Sequence, residues 1–169
     1  MIVAIDALYR DNSARVAAVV FKDWTSEEAS ARQTLSFTHV SEYIPGQFYQ
    51  RELEPILSIL KKLETIHTIV IDGYCHLDKE GKKGLGAHLY DATKGQYTII
   101  GVAKNPFMGS PHAACVYRGE SKKPLYVTSI GISKETAANY ISKMAGNYRM
   151  PNILKEADSM SRNSSRPKT

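Results

Sequence analysis

Two short apolar runs constrain this chain more than anything else in it. Ile2-Val3-Ala4-Ile5 ends at Asp6, and Ile69-Val70-Ile71 ends at Asp72, with Gly73 directly after. Unbroken aliphatic runs of this length, bounded by turn signals, read as buried strands. Each therefore carries an acid to the rim of a dry interior. Glu52 and Asp158 fall in stretches that read as helix. Acids gathered from four distant parts of a chain repel one another, and a divalent cation is the usual remedy. Oxygen-only donors suit Mg²⁺ or Mn²⁺. A pair of such ions about 4 Å apart is common machinery for hydrolysing phosphodiesters.

At 169 residues the chain is long enough for one domain with a proper core and no disulfide staples. Residues 1–160 read as that domain and 161–169 as a disordered basic tail rich in Ser, Arg and Pro. No apolar run approaches the roughly 20 residues of a membrane span, and Met1 leads straight into a strand, so neither a membrane nor a signal peptide is expected. Cys75 and Cys115 stand alone, without CxxC spacing, and a reducing, cytoplasmic setting is the expectation. Net charge is +5, but the stretch 159–169 holds Arg162, Arg166 and Lys168 and no acid, which leaves +2 for the body. A solvated tail accounts for most of the basic balance. The pairs Lys82-Lys83 and Lys122-Lys123, both in expected loops, are better placed to meet phosphates.

The order of elements is legible along the chain. Strands are expected over 2–6, 14–21 and 33–40, the first two joined at Asp11-Asn12-Ser13. After the break Ile44-Pro45-Gly46, Leu53, Ile56, Leu57, Leu60 and Leu63 keep helical spacing, with Lys61-Lys62 in the last turn. A strand over 66–71, a short helix over 86–93 and a strand over 97–102 follow. Residues 113–117 and 125–129 read as a hairpin-like pair. Lys134–Ala145 reads as helix, and Pro151 opens a final helix carrying Asp158. Three antiparallel strands, then alternating helices and strands, predict an α/β fold with a mixed central sheet flanked by helices, in the order of ribonuclease H-like folds.

Local motifs narrow this further. The chain resembles the endonuclease V family over nearly its full length. Ala4-Ile5-Asp6 with Tyr9, Tyr43-Ile44-Pro45-Gly46 followed by Arg51-Glu52, and Ile71-Asp72-Gly73 with His76 carry the resemblance. So do Gly86-Ala87-His88-Leu89, Gly101-Val102-Ala103-Lys104, Lys123-Pro124-Leu125-Tyr126-Val127, and Tyr148-Arg149-x-Pro151 running into Ala157-Asp158. The resemblance implies a nuclease of deaminated bases, cutting DNA or RNA one nucleotide beyond inosine and leaving 3′-hydroxyl and 5′-phosphate ends. It implies Asp6, Glu52, Asp72 and Asp158 as metal-binding and catalytic residues, with Mg²⁺ as cofactor and Mn²⁺ able to substitute. Lys104 would touch the scissile phosphate, and His76 would lie near the active site. Tyr43, Ile44, Pro45 and Gly46 would form a wedge where the lesion leaves the stack. Gly73 and His88 join the nucleic-acid-binding set, and a monomer suffices for tracking one lesion.

Taken singly, each residue has a plainer reading. An aspartate at a strand end is more often a turn former; Tyr43 can be a capping aromatic; His76 and His88 can be ordinary loop and core histidines. Glu42, Glu54, Asp78 and Asp91 are read as surface charges, and His39, His67 and His112, in strand-like runs, as structural. The chain also departs from the family pattern. Five residues precede Asp6, where the family usually has a helical segment. His76 follows Asp72 by four residues instead of the common six, and 129–133 lacks the usual histidine and basic residue. These departures fall on base recognition, not on the acids. Two rival readings follow: a ribonuclease H-like nuclease with another target, and a reader of modified nucleic acid that does not cut.

Overall fold

The computed structural model describes residues 1–39, 48–108 and 111–163. Its elements are β1 (Ile2–Arg10), β2 (Ser13–Phe21), β3 (Ala31–Phe37), α1 (Phe48–Leu60), β4 (Thr68–Asp72), α2 (Leu85–Ala92), β5 (Thr98–Ala103), β6 (Ala114–Val116), β7 (Leu125–Ile130), α3 (Lys134–Ser142) and α4 (Asn152–Arg162). The strands form one sheet in the order β3-β2-β1-β4-β5-β7-β6. The β1–β4 and β4–β5 pairs are parallel and the others antiparallel. This is the mixed, ribonuclease H-like sheet expected from the sequence.

Helices cover both faces, which is why the central strands carry no polar alternation. Alternation along β1 sends Ile2 and Ala4 to one face, where they meet Val70, Ile100, Val102 and the helical residues Ala137, Ile141, Ile153 and Ala157. Val3 and Ile5 go to the other, against Ile69, Ile71, Ile99 and α1 residues Ile56, Ile59 and Leu60. The final helix keeps Ile153, Ala157 and Ser161 buried, four residues apart, so its inner face is one stripe. Among the described residues no helix is long and apolar enough to cross a membrane.

Several boundaries differ from expectation, each for a local reason. β1 continues four residues past Asp6, because β2 pairs with it as far as Arg10 while β4 leaves it at Ile5. The second half of β1 has a strand on one side only and tolerates Tyr9 and Arg10. β3 stops at Phe37, short of Val40, since Phe37 already pairs with Ala14 near the start of β2. Lys61 and Lys62 lie just past α1, and Pro55 sits inside it, where it forgoes one helical hydrogen bond. Pro151 caps α4 instead of opening it, and α4 runs to Arg162, two residues into the stretch read as tail. His39, His67 and His112 all lie outside strands.

Candidate active site

The carboxylates meet because β4 stops pairing with β1 just before both aspartates. Ile5 pairs with Ile71, so Asp6 and Asp72 leave that ladder side by side. By strand alternation both follow Ala4 and Val70 toward the face covered by α3 and α4. Asp72 also pairs with Val102 of β5, and Lys104 stands two residues further on. From across that face α4 brings Asp158. Asp6, Asp72, Lys104 and Asp158, with Met150 and Leu154, line a cavity of about 30 Å³. A second cavity of about 80 Å³ abuts it, lined by Asp6 and Asp72 again, now with Tyr9, Glu52 and Leu85. Each has room for at least one water-sized particle. Asp6 and Asp72, with Ile5 and Ile71 behind them in sequence, are the wall the two share.

Electrostatics follow this layout. Burial first, then the charges of Asp72 and Asp158, push the Asp6 carboxyl from 3.8 up to about 7, although the Ala7 N–H donates to its Oδ1 at 2.8 Å. Burial and Asp72 push Glu52 from 4.5 up to about 7, against the pull of Arg51. Asp72 is raised by burial and by Asp158, with Lys104 and Arg162 opposing. Asp158 goes the other way. Burial acts to raise it, but Arg162, whose Nε donates to Asp158 Oδ1 at 2.8 Å, a hydrogen bond with Asp6, and Lys104 together hold it below the usual carboxylate range. On the Glu52 side, the Tyr9 hydroxyl donates to the Glu52 carbonyl at 3.1 Å, and Arg51 lies over the Tyr9 ring at 5.3 Å.

The donor set fits a hard divalent cation: all oxygen, buried and then crowded enough that two acids hold their protons to about neutral pH. The side chains converge without closing on a point. Among the described residues no group of three or more His, Cys, Asp or Glu is already assembled to hold an ion. Asp158 is turned to Arg162 instead.

The chain is similar to known proteins of one family. The endonuclease V family matches residues 1–159. This chain belongs to the endonuclease V family. The endonuclease V of Pyrococcus abyssi is 34% identical over 165 residues, covering 95% of this chain and 78% of its own length. The solved endonuclease V of Streptomyces avermitilis superposes with a TM-score of 0.73 at 29% identity, covering 95% of this chain and 79% of that one. The fold is also that of the Ciona intestinalis endonuclease V, solved with a 23mer DNA containing an inosine followed by a ribo-adenosine, with a TM-score of 0.77 at 20% identity, covering 95% of this chain and 83% of that one. As a member of an endonuclease V family of nucleases, the chain is an enzyme, and its sheet is ribonuclease H-like.

Of the other expected residues, Lys104 lies in the first carboxylate cavity. His76 lines neither; it faces a cleft of about 300 Å³ beyond the Asp72-Gly73 turn, with Asp78, Lys79, His112, Ser129 and Lys134. His88 is half-buried on α2, with Lys83 and Asp91 as its charged neighbours. Gly73 has φ +131°, a conformation L side chains rarely adopt. The stretch 84–86 serves packing: a Cβ on Gly86 would sit 2.6 Å from Cys75 Sγ. Tyr43, Ile44, Pro45 and Gly46 lie outside the described residues. The endonuclease V motifs did not point to Arg162, which faces three of the acids; its i+4 spacing from Asp158 on a helix was the available signal.

Proposed function

We propose that this chain is a divalent-metal-dependent endonuclease that hydrolyses the phosphodiester one nucleotide 3′ of inosine in DNA or RNA, leaving 3′-hydroxyl and 5′-phosphate ends. The observation that carries this reading is the pair of small cavities sharing Asp6 and Asp72 as a common wall, with Glu52 in one and Asp158 and Lys104 in the other. Asp6, Asp72 and Glu52 would hold one cation, and Asp6, Asp72 and Asp158 a second. Bound there, Mg²⁺ or Mn²⁺ supplies Lewis acidity to the phosphodiester and to the water that attacks it.

The chain's own residues have distinct parts. Lys104 meets a phosphate oxygen as a point charge at the mouth of the cavity. Asp6 and Glu52, protonated up to about pH 7 in the metal-free chain, must release those protons to serve as ligands. The apolar side chains Met150 and Leu154 limit water around the reacting phosphate. His76, Gly73 and His88 act further along the strand, on the nucleotides around the lesion, and the enzyme works as a cytoplasmic monomer.

A second reading, a ribonuclease H-like nuclease with a different target, is favoured by one feature. The cleft beyond the Asp72-Gly73 turn is lined by His76, Asp78, Lys79, His112 and Lys134, a charged wall that suits phosphate or a structured strand better than a lone purine. End-labelled strands carrying one inosine, as DNA and as RNA, with Mg²⁺ or Mn²⁺, separate the two. A cut one nucleotide past inosine, absent in Asp6→Ala, is the expected result. Metal-dependent cutting that ignores inosine selects the second reading.

A further inference from the structure

Among the described residues the exposed large apolar side chains are Phe107, Met108, Tyr117 and Tyr148, and Tyr148 is 71% exposed. Exposure alone means little, but the frame under Tyr148 is built. Arg118 is 6% exposed, and no acid pairs with it in any described contact. Its Nη1 donates to the carbonyls of Tyr148 (2.7 Å) and Arg149 (3.3 Å), and its Nη2 to those of Met144 (2.5 Å) and Gly146 (3.2 Å). Gly119 closes on the same loop: a Cβ there would lie 2.5 Å from the Asn147 carbonyl oxygen. From the other side Arg149 Nη2 donates to the carbonyls of Lys104 and Pro124. A buried guanidinium spent on four loop carbonyls is a strong fixture. The loop is held rigid while its one large aromatic ring points into water, the arrangement of a preorganised contact residue and not of a packing residue.

The chain segments next to that ring are rich in basic residues. Lys155 Nζ stands 5.8 Å from the Tyr148 ring centroid. Residues 143–155 carry Lys143, Arg149 and Lys155 and no acid; residues 117–123 carry Arg118, Lys122 and Lys123 against Glu120 alone. Tyr117, also exposed, directly precedes the arginine that grips the Tyr148 carbonyl. Two residues past Tyr148, Met150 lines the cavity that holds Asp6, Asp72, Lys104 and Asp158. The loop that carries the ring therefore adjoins the carboxylate site, and the next residue, Arg149, donates to the Lys104 carbonyl.

We propose that Tyr148, with Lys155 at its ring and Tyr117, Lys122 and Lys123 on the adjoining loop 117–123, is a stacking platform for an unpaired base of the strand flanking the scissile phosphate. The proposal rests on the nuclease reading. Base–aromatic stacking between lysines that follow the phosphates is the device of proteins that hold single strands without reading sequence. It predicts a preference for unpaired over paired flanking nucleotides, independent of which base is present. This role is distinct from lesion recognition, which falls to the residues around the Asp72-Gly73 turn.

The test is fluorescence anisotropy in an Asp6→Asn background with Mg²⁺, so that the strand stays whole. The probes are a short labelled single strand with one inosine and the same strand in a duplex. Tyr148→Ala is expected to weaken single-strand binding about tenfold, with duplex binding changed far less. Tyr148→Phe keeps affinity within about twofold, and Lys155→Gln lowers the salt slope by about one counterion. Melting temperatures of the variants serve as the check on folding. Single-strand binding by Tyr148→Ala equal to that of its parent, or an equal loss in Tyr148→Phe, overturns the platform while leaving the nuclease in place. If the parent binds no strand and the wild type cuts none, the nuclease reading falls and the platform with it.

Discussion

The two cavities that share Asp6 and Asp72 are built from the same chemistry and balanced in opposite ways. On the α1 side, burial first and then the charge of Asp72 push the Glu52 carboxyl up to about 7, with only Arg51 opposing. On the α4 side, Asp158 is flanked by Arg162 and Lys104 and falls below its usual range. One half is already neutralised by the protein's own cations, while the other is left short of positive charge. Acids held by a fold against burial and mutual repulsion suit a cationic partner, and the carboxyls raised furthest, to about 7, are those of Glu52 and Asp6. The first cation to bind is therefore expected on the α1 side, and the α4 side is tuned by Arg162.

The shared wall is where the largest effect lies. On the proposed metal-dependent reading, Asp72→Asn would remove a ligand from both halves at once, and cleavage of an inosine-containing strand is expected to fall on the order of 10³-fold or more. Single-turnover rates with saturating Mn²⁺ check this; a loss under tenfold would mean that the two cavities do not share a working acid. Next in size is the pH dependence of stability without metal. Asp6 and Glu52 are raised from 3.8 and 4.5 to about 7, so they contribute stability when protonated, and it is lost as pH climbs from about 4 through about 7. Melting temperature in EDTA should fall across that window. Glu52→Gln should flatten the fall and raise the metal-free melting temperature at pH 8 by roughly 5 °C. Asp158, being lowered, contributes above its usual range, so Asp158→Asn should give no such gain. Equal gains from both substitutions would erase the contrast between the halves.

The sequence made the acids legible because each sits at a point where a local pattern changes. Asp6 and Asp72 close aliphatic runs, and Glu52 and Asp158 lie on helices whose apolar spacing can be counted. The sheet order was legible for the same reason, through runs, turns and periodicity. What was not legible depends on contacts between distant segments. Nothing local shows that β4 abandons β1 at Ile5, so β1 was expected to end at Asp6, not Arg10. Arg118, between a tyrosine and a glycine, has the look of a surface residue; only the fold reveals four loop carbonyls converging on it. Arg162 was lost in the charge count of the tail, although one helical turn from Asp158 was enough to suspect it. The Asp72-Gly73 turn packs with the Cys75 N–H donating to Thr128 Oγ1 at 2.9 Å, and spacing alone does not show which walls that turn exposes.

The smallest effect gives the finest discrimination between the halves. Arg162 donates to Asp158 from a position 59% exposed to solvent, so its pull on the carboxylate is screened and its removal changes little in the fold. If it stands in for a cation on the α4 side, it competes with the metal for Asp158. Arg162→Gln should then tighten Mn²⁺ binding about twofold, read by calorimetry without substrate, with the gain fading as salt rises. The same substitution reaches the Glu52 side only through the shared Asp6 and Asp72, so Glu52→Gln and Arg162→Gln should act nearly additively in a double variant. Weaker Mn²⁺ binding in Arg162→Gln would reverse the assignment. It would mean that the guanidinium holds Asp158 in the pose the ion needs, and that the α4 half is prepared for a metal and not protected from one.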